Sequence, residues 1–292
     1  MLQTEALPPE VRLVSNQHGR RFLQIEHPAV QACIALQGAH IIECIPAGQP
    51  PLLWMSPMDP CKPGTALRGG VPVCWPWFAD ERDGPAHGIA RTSDWQLLEA
   101  RADSTSVHLV LRLPQEDIAR QLPDEGWTVK IEFTLGVALE IALTTTHTGT
   151  GPQRLSQALH SYLPVADIAK AEVTGLQGCC YIDKLNGATL TQQTAVRFDA
   201  EVDRIYFNHN ADLQLRSRTD VLDIHREGSE SVVVWNPWLE KSRHLSQFPD
   251  DGYRTMVCIE AANAGPDGRT LEPGSTHTLK TVISRTSSKQ SR

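Results

Sequence analysis

Trp127–Leu135 reads WTVKIEFTL, and its odd positions are Trp127, Val129, Ile131, Phe133 and Leu135. The even positions between them are Thr128, Lys130, Glu132 and Thr134. A strict period of two is the pattern of a strand with one buried and one wet face. Gly136 follows as a turn residue, and Leu139, Ile141 and Leu143 resume the alternation. The stretch therefore predicts a half-buried antiparallel hairpin. Val107–Leu113 repeats the scheme, with Val107, Leu109, Leu111 and Leu113 on one side and His108 and Arg112 on the other.

Outward from this hairpin the same grammar continues. Arg21–Glu26 and Val30–Ile45 read as extended, the latter broken near Gly38 into two strands around a bend. Short strand-like runs recur at 172–173, 179–182, 195–198, 213–215, 221–225, 232–235, 256–261 and 276–284. Turn residues separate them roughly every ten positions, the spacing of a sandwich or barrel. The one helix-like insert near the hairpin is Gln115–Leu122. Strands and helices do not alternate, which argues against a parallel α/β sheet. The expected fold class is all-β, a large antiparallel β-sandwich. It is expected as one domain over 20–285, between a loose segment 1–19 and a fraying polar tail 286–292.

Composition narrows the function. The chain has 292 residues, 20 prolines and 20 glycines, with a formal charge of -7. An acidic balance argues against nucleic-acid binding, and an anionic ligand must be held by a local cluster of cations. The seven cysteines, at 33, 44, 61, 74, 179, 180 and 258, form no CxxC pair and no zinc-type spacing with histidine. They read as thiols of a reducing compartment. The first residues, MLQTEALPPEVRLVSN, lack an apolar signal-peptide core, and no apolar run reaches membrane-spanning length. A cytoplasmic monomer with no membrane partner is the expectation.

Arg68–Trp95 gathers Arg68, His87 and Arg91 beside glycine and proline, with Trp75, Trp77, Phe78 and Trp95 around them. Two guanidiniums suit a phosphate or carboxylate, and glycine lets backbone pass close to a ligand. The same arginines could equally pair with surface acids, and the tryptophans could stack on sugar or fill core. His160, in SQALHSYLPVADI, is either a hydrogen-bonded core histidine or a proton donor. Glu260, in MVCIEAAN, lies in a small apolar strand, where a carboxylate is costly unless paired or used. Trp235 and Trp238 in VVVWNPW offer either a stacking wall or core. A histidine and a glutamate from separate strands make a usable acid–base pair near neutral pH.

Taken in order, RGGVPVCWPWF, AHGIARTSDW, ALHSYL, VDRIY, VVVWNPW and PDDGYRTMVCIEAAN resemble the hexose-6-phosphate mutarotases, or glucose-6-phosphate 1-epimerases. These are a branch of the galactose-mutarotase-like superfamily of aldose 1-epimerases, and the resemblance runs from about residue 20 to 285. It implies a β-supersandwich and interconversion of the α and β anomers of a hexose 6-phosphate without metal or organic cofactor. It further implies His160 as general acid and Glu260 as general base. Arg68 and Arg91 are then substrate ligands aimed at the phosphate, Asp203 a hydrogen-bonding partner of the sugar, and His87 a neighbour of the ring oxygen. One departure is Ala86, where some relatives carry a glutamine that touches substrate. The rival readings are an aldose 1-epimerase for unphosphorylated sugars and a non-catalytic sugar-phosphate-binding module.

Overall fold

The computed structural model describes residues 7–218 and 220–286. Trp127–Leu135 pairs antiparallel with Ala138–His147, turning through Gly136 with Leu135 opposite Leu139. Its five odd side chains are buried, as the alternation requires. Each apolar side chain so buried contributes roughly 1.5–3 kcal/mol. The hairpin belongs to a nine-stranded antiparallel sheet. From one edge, its order is Val196–Arg197, Ala171–Thr174, Leu213–Ser217, Asp220–Glu227, Thr276–Arg285, Ala138–His147, Trp127–Leu135, Val107–Arg112 and Gln96–Ala102. Gln115–Gln121 is the expected short helix.

A second, eight-stranded sheet carries Thr189–Thr191, Cys180–Asp183, Val202–Tyr206, Ser231–Asn236, Met256–Asn263, Gln157–Leu159 and Val73–Cys74, with Tyr162–Pro164 also paired to Met256–Asn263. The two sheets share one core that includes Ile131, Leu143 and Ile283 from the first and Leu159, Val234 and Ile259 from the second. This is the antiparallel β-sandwich expected from the period-two pattern. No helix among the described residues is long and apolar enough to cross a membrane.

The segment 1–19, expected to be loose, departs from that expectation within its described part. Val11–Ser15 is a strand in register with Arg21–Ile25, on the edge of a four-stranded meander completed by Val30–Ala35 and His40–Pro46. Only Val11 of its five residues is buried, so the strand is held by backbone pairing and carries no alternation to read. At the other end Thr286 still donates its N–H to Val221 O. Residues 1–6 and the remainder of the tail, 287–292, lie outside the described residues.

Which face of the eight-stranded sheet each residue takes follows from parity. In Met256–Asn263, Val257, Ile259 and Ala261 point into the core between the sheets. Met256, Cys258 and Ala262 point the other way, into a second apolar cluster with Phe78, Tyr162, Val233 and Trp235. Glu260 shares their parity and so stands on this outer face.

Candidate active site

Cross-strand register lays out the floor of a cleft of about 650 Å³ on this outer face. In one row Asp203 lies opposite Trp235, Trp235 opposite Cys258, and Cys258 opposite Tyr162. In the next, Ile205 lies opposite Val233 and Val233 opposite Glu260. On the far side of Met256–Asn263 the partner is interrupted. Gln157–Leu159 pairs with 261–263 and Tyr162–Pro164 with 256–258. His160 occupies the break, and its Nε2 comes within 3.4 Å of Glu260 Oε1. A strand that ran straight through would have continued its ladder at this point.

Both groups are shut away from water: the side chains are 13% and 1% exposed. Burial, reinforced by Asp203, holds the Glu260 carboxyl well above the usual carboxylate range. Burial first, then the neighbouring His87 and Arg91, holds His160 well below the usual imidazole value. Glu260 Oε2 and His160 Nδ1 are buried and have no hydrogen-bond partner. An unsatisfied buried carboxyl oxygen is costly, and groups of this kind cluster at functional sites. The imidazole plane is set by packing: Tyr162 stacks on it at 5.0 Å and 13°, and Trp235 meets it edge-on at 6.0 Å.

The loops between 65 and 92 form the opposite wall. Gly70 has φ +60, and a Cβ there would lie 2.2 Å from Ile41 O, so only glycine lets the loop cross the meander this closely. This crossing delivers Arg68, whose Nη1 is 3.5 Å from Tyr162 OH and whose Nε donates to Ser246 O at 3.4 Å. Arg91, on the turn Ala90–Thr92, donates from Nη2 to Ala86 O at 2.6 Å. Position 86, the departure noted above, thus orients an arginine through its carbonyl. His87 has φ +66, and its Nδ1 accepts the Ala79 backbone N–H at 3.2 Å. Its ring centroid lies 5.6 Å from that of His160.

All six residues singled out from sequence, Arg68, His87, Arg91, His160, Asp203 and Glu260, line this one cleft. Sequence reasoning missed Lys184 and Lys241, which line it too. Lys184 Nζ sits 5.5 Å above the Phe78 ring, and Lys241 Nζ lies 2.7 Å from Glu201 and 3.9 Å from Asp203. Neither is flanked by any pattern that sets it apart from a surface lysine. Burial raises the Asp203 carboxyl, while these two lysines oppose the shift. The cleft therefore holds four cationic side chains against two carboxyls, on a chain whose overall charge is negative.

The tryptophans divide. Trp75, Trp77 and Trp95 are core residues. Trp235 lines the cleft, while Trp238 packs on Tyr253 at 5.0 Å instead. Cys258, which has no metal-type spacing to any histidine in sequence, is brought close to His160 and Glu260 by the fold.

The antiparallel sandwich has the fold of a class, the galactose-mutarotase-like proteins. A galactose mutarotase-like protein from Lactobacillus casei superimposes with a TM-score of 0.69 over 91% of this chain and all of its own, at 15% identity, which shows the fold alone. The aldose 1-epimerase family pattern matches residues 21–284. A protein of Escherichia coli (strain K12) named "Putative glucose-6-phosphate 1-epimerase" is 36% identical over 286 residues, 94% of this chain and 96% of that one. The crystal structure of a "putative mutarotase" from Salmonella typhimurium matches with a TM-score of 0.88 and 33% identity, over 96% of this chain and 95% of its own. The chain belongs to the aldose 1-epimerase family. Mutarotation, the exchange of an aldose's α and β anomers, is the activity that this membership carries.

Proposed function

We propose that the protein is a hexose-6-phosphate mutarotase, with glucose 6-phosphate as a representative substrate. One observation carries this reading: four cationic side chains share a cleft with a buried acid–base pair. A neutral sugar would leave Arg68 and Arg91 in that cleft without an anionic partner. A phosphate on C6 takes charge-assisted bonds from them and orients C1 towards the pair without entering the chemistry. The name borne by the Escherichia coli relative supports the same substrate class.

The pair works as one unit. Glu260 removes the proton of the C1 hydroxyl as His160 gives a proton to the ring oxygen, and the C1–O5 bond breaks to the open aldehyde. Rotation about C1–C2 presents the other face of the carbonyl, and the two residues exchange roles as the ring closes. Each proton transfer contributes about 10²–10⁴ in rate. Burial favours the neutral forms of the pair, a protonated carboxyl beside a neutral imidazole. A phosphate dianion on Arg68 and Arg91 cancels part of the positive field that keeps His160 neutral, so substrate favours passage of the Glu260 proton across to His160 Nε2, which arms base and acid together. His87 donates to the sugar near the ring oxygen and Asp203 accepts from its hydroxyls. All six side chains come from one chain, so a monomer suffices. Seven unpaired cysteines accord with a cytoplasmic setting.

Exchange NMR of the two anomers tests this with glucose 6-phosphate, galactose 6-phosphate and glucose. Faster exchange of the phosphorylated sugars supports the reading. Equal acceleration of glucose, or none of any sugar, overturns it.

A further inference from the structure

His160, Cys258 and Glu260 each offer a ligand atom, and the three atoms lie within 4.8 Å of one another. Among the described residues this is the one cluster of histidine, cysteine and carboxylate side chains so compact. Cys258 and Glu260 are two positions apart on one strand and face the same side, while His160 enters from the break opposite. The Nε2–Oε1 separation of 3.4 Å is close to the edge of a tetrahedron drawn with bonds of about 2.0–2.1 Å to a zinc ion. Glu260 Oε2 is also buried and free of any partner.

We propose that this trio is a capture site for a thiophilic divalent cation, zinc or cadmium, which blocks the reaction by taking the lone pairs that move the proton. The chemistry of the donor set selects the ion. A thiolate, an imidazole and a carboxylate are the ligands of zinc, whereas magnesium and calcium require oxygen donors. Coordination forms a metal–sulfur bond and releases the thiol proton through the cleft to solvent. Glu260 binds as the carboxylate, and any proton it carries leaves by the same path. Two anionic ligands then match the ion's two charges, which removes the expense of burying any one of them alone. The cations Arg68, Arg91, Lys184 and Lys241 repel a loosely held ion, so only a thiolate bond holds one there. His160 and Glu260 both line the cleft, where the sugar would stand.

The blocking effect rests on the assignment of His160 and Glu260 as the reacting pair, whereas the binding does not, so the test reads both. Cadmium is titrated into the whole protein while thiolate-to-metal charge-transfer absorbance is recorded, and anomer exchange is followed in parallel. The comparison is with Cys258→Ala and Cys258→Ser, each scaled to its own metal-free rate. The expected result is one equivalent of absorbance that both variants lose, with turnover reduced at least tenfold and restored by a chelator. The variants should need about 10²-fold more metal for the same loss. Absorbance and inhibition unchanged in both variants would overturn the site. A Cys258-dependent signal with turnover untouched upholds the site and counts instead against the catalytic pair.

Discussion

The Ala79 backbone N–H donates to His87 Nδ1 at 3.2 Å. A ring nitrogen that accepts holds no proton, so the neutral imidazole carries its hydrogen on Nε2. Burial above all, with Arg91, Lys184 and Arg68 adding like charge, pulls its pKa down to about 3. His87 is a fixed donor across the physiological range. His87→Phe should lower kcat/KM for the sugar phosphate by about 10²–10³, the usual cost of one lost donor to developing charge. The limbs of the pH–rate profile should stay where they are. A displaced acid limb would mean that His87 titrates during turnover.

Glu260→Gln keeps the shape of the side chain and removes its proton chemistry. Turnover should fall by at least about 10², with the circular dichroism of the fold retained. The same substitution should raise Tm at neutral pH. The buried carboxyl has a folded pKa raised above its unfolded value, so the native state binds more protons than the unfolded one once pH passes about 4.3. Stability then declines as pH rises from that point. A glutamine escapes this decline, and the two proteins should converge near pH 4. Equal Tm values at both ends would contradict the burial argument.

Acid should destabilise the protein through its buried histidines. His40 is fully buried, with Nε2 2.7 Å from Gly69 O, and burial pulls its pKa to about 3, as for His87. The unfolded chain takes up protons at about 6.5, so it binds more of them than the native state between the two values. This contribution to stability is complete above about 6.5 and is lost as pH falls towards 3. His40→Gln preserves a donor for Gly69 and should flatten the slope of unfolding free energy against pH between about 7 and 5. Urea titrations over that interval decide it.

Arg68→Gln and Arg91→Gln should each raise KM for glucose 6-phosphate by about 10- to 100-fold, the value of one charge-assisted contact. The rate on free glucose should change by no more than a few-fold. Parallel losses on both sugars would place the phosphate elsewhere.

Tyr162 separates packing from hydrogen bonding. Its hydroxyl lies at the long distance of 3.5 Å from Arg68 Nη1, whereas its ring stacks directly on His160. Tyr162→Phe should keep kcat within a few-fold. Tyr162→Ala leaves the imidazole without one of its walls and should lower kcat by at least about tenfold, because misplacing a reacting group is costly. Similar effects from the two substitutions would point to the hydroxyl instead.

What could be read before folding depended on burial. Trp127–Leu135 was legible because its two faces meet different solvents, and Glu260 because a carboxylate amid alanine, isoleucine and cysteine has no cheap reason to be there. Val11–Ser15 was silent, since an edge strand exposed on both faces has no period. Thr189–Thr191, exposed throughout, was silent for the same reason. Arg68, His87 and Arg91 stood out by their glycine and proline neighbours, which the close backbone approaches at Gly70 and Gly88 explain. Lys184 and Lys241 look like any surface lysine until the fold carries them to the cleft, one just past the strand Cys180–Asp183 and the other on the short helix Trp238–Ser242. The closeness of Cys258 to His160 depends on a break in a strand that no local spacing announces.

That break has a consequence for how the molecule comes together. His160 and Glu260 sit far apart along the chain and meet only when 157–164 has docked, in two pieces, on Met256–Asn263. Closing so long a loop carries an entropic cost that must be met before its contacts repay it, so such pairings form late. The local hairpin of 127–147 needs no such closure. A chain halted midway would hold local hairpins such as 127–147 and no chemistry, and regain of catalysis on refolding would time the arrival of the final segments.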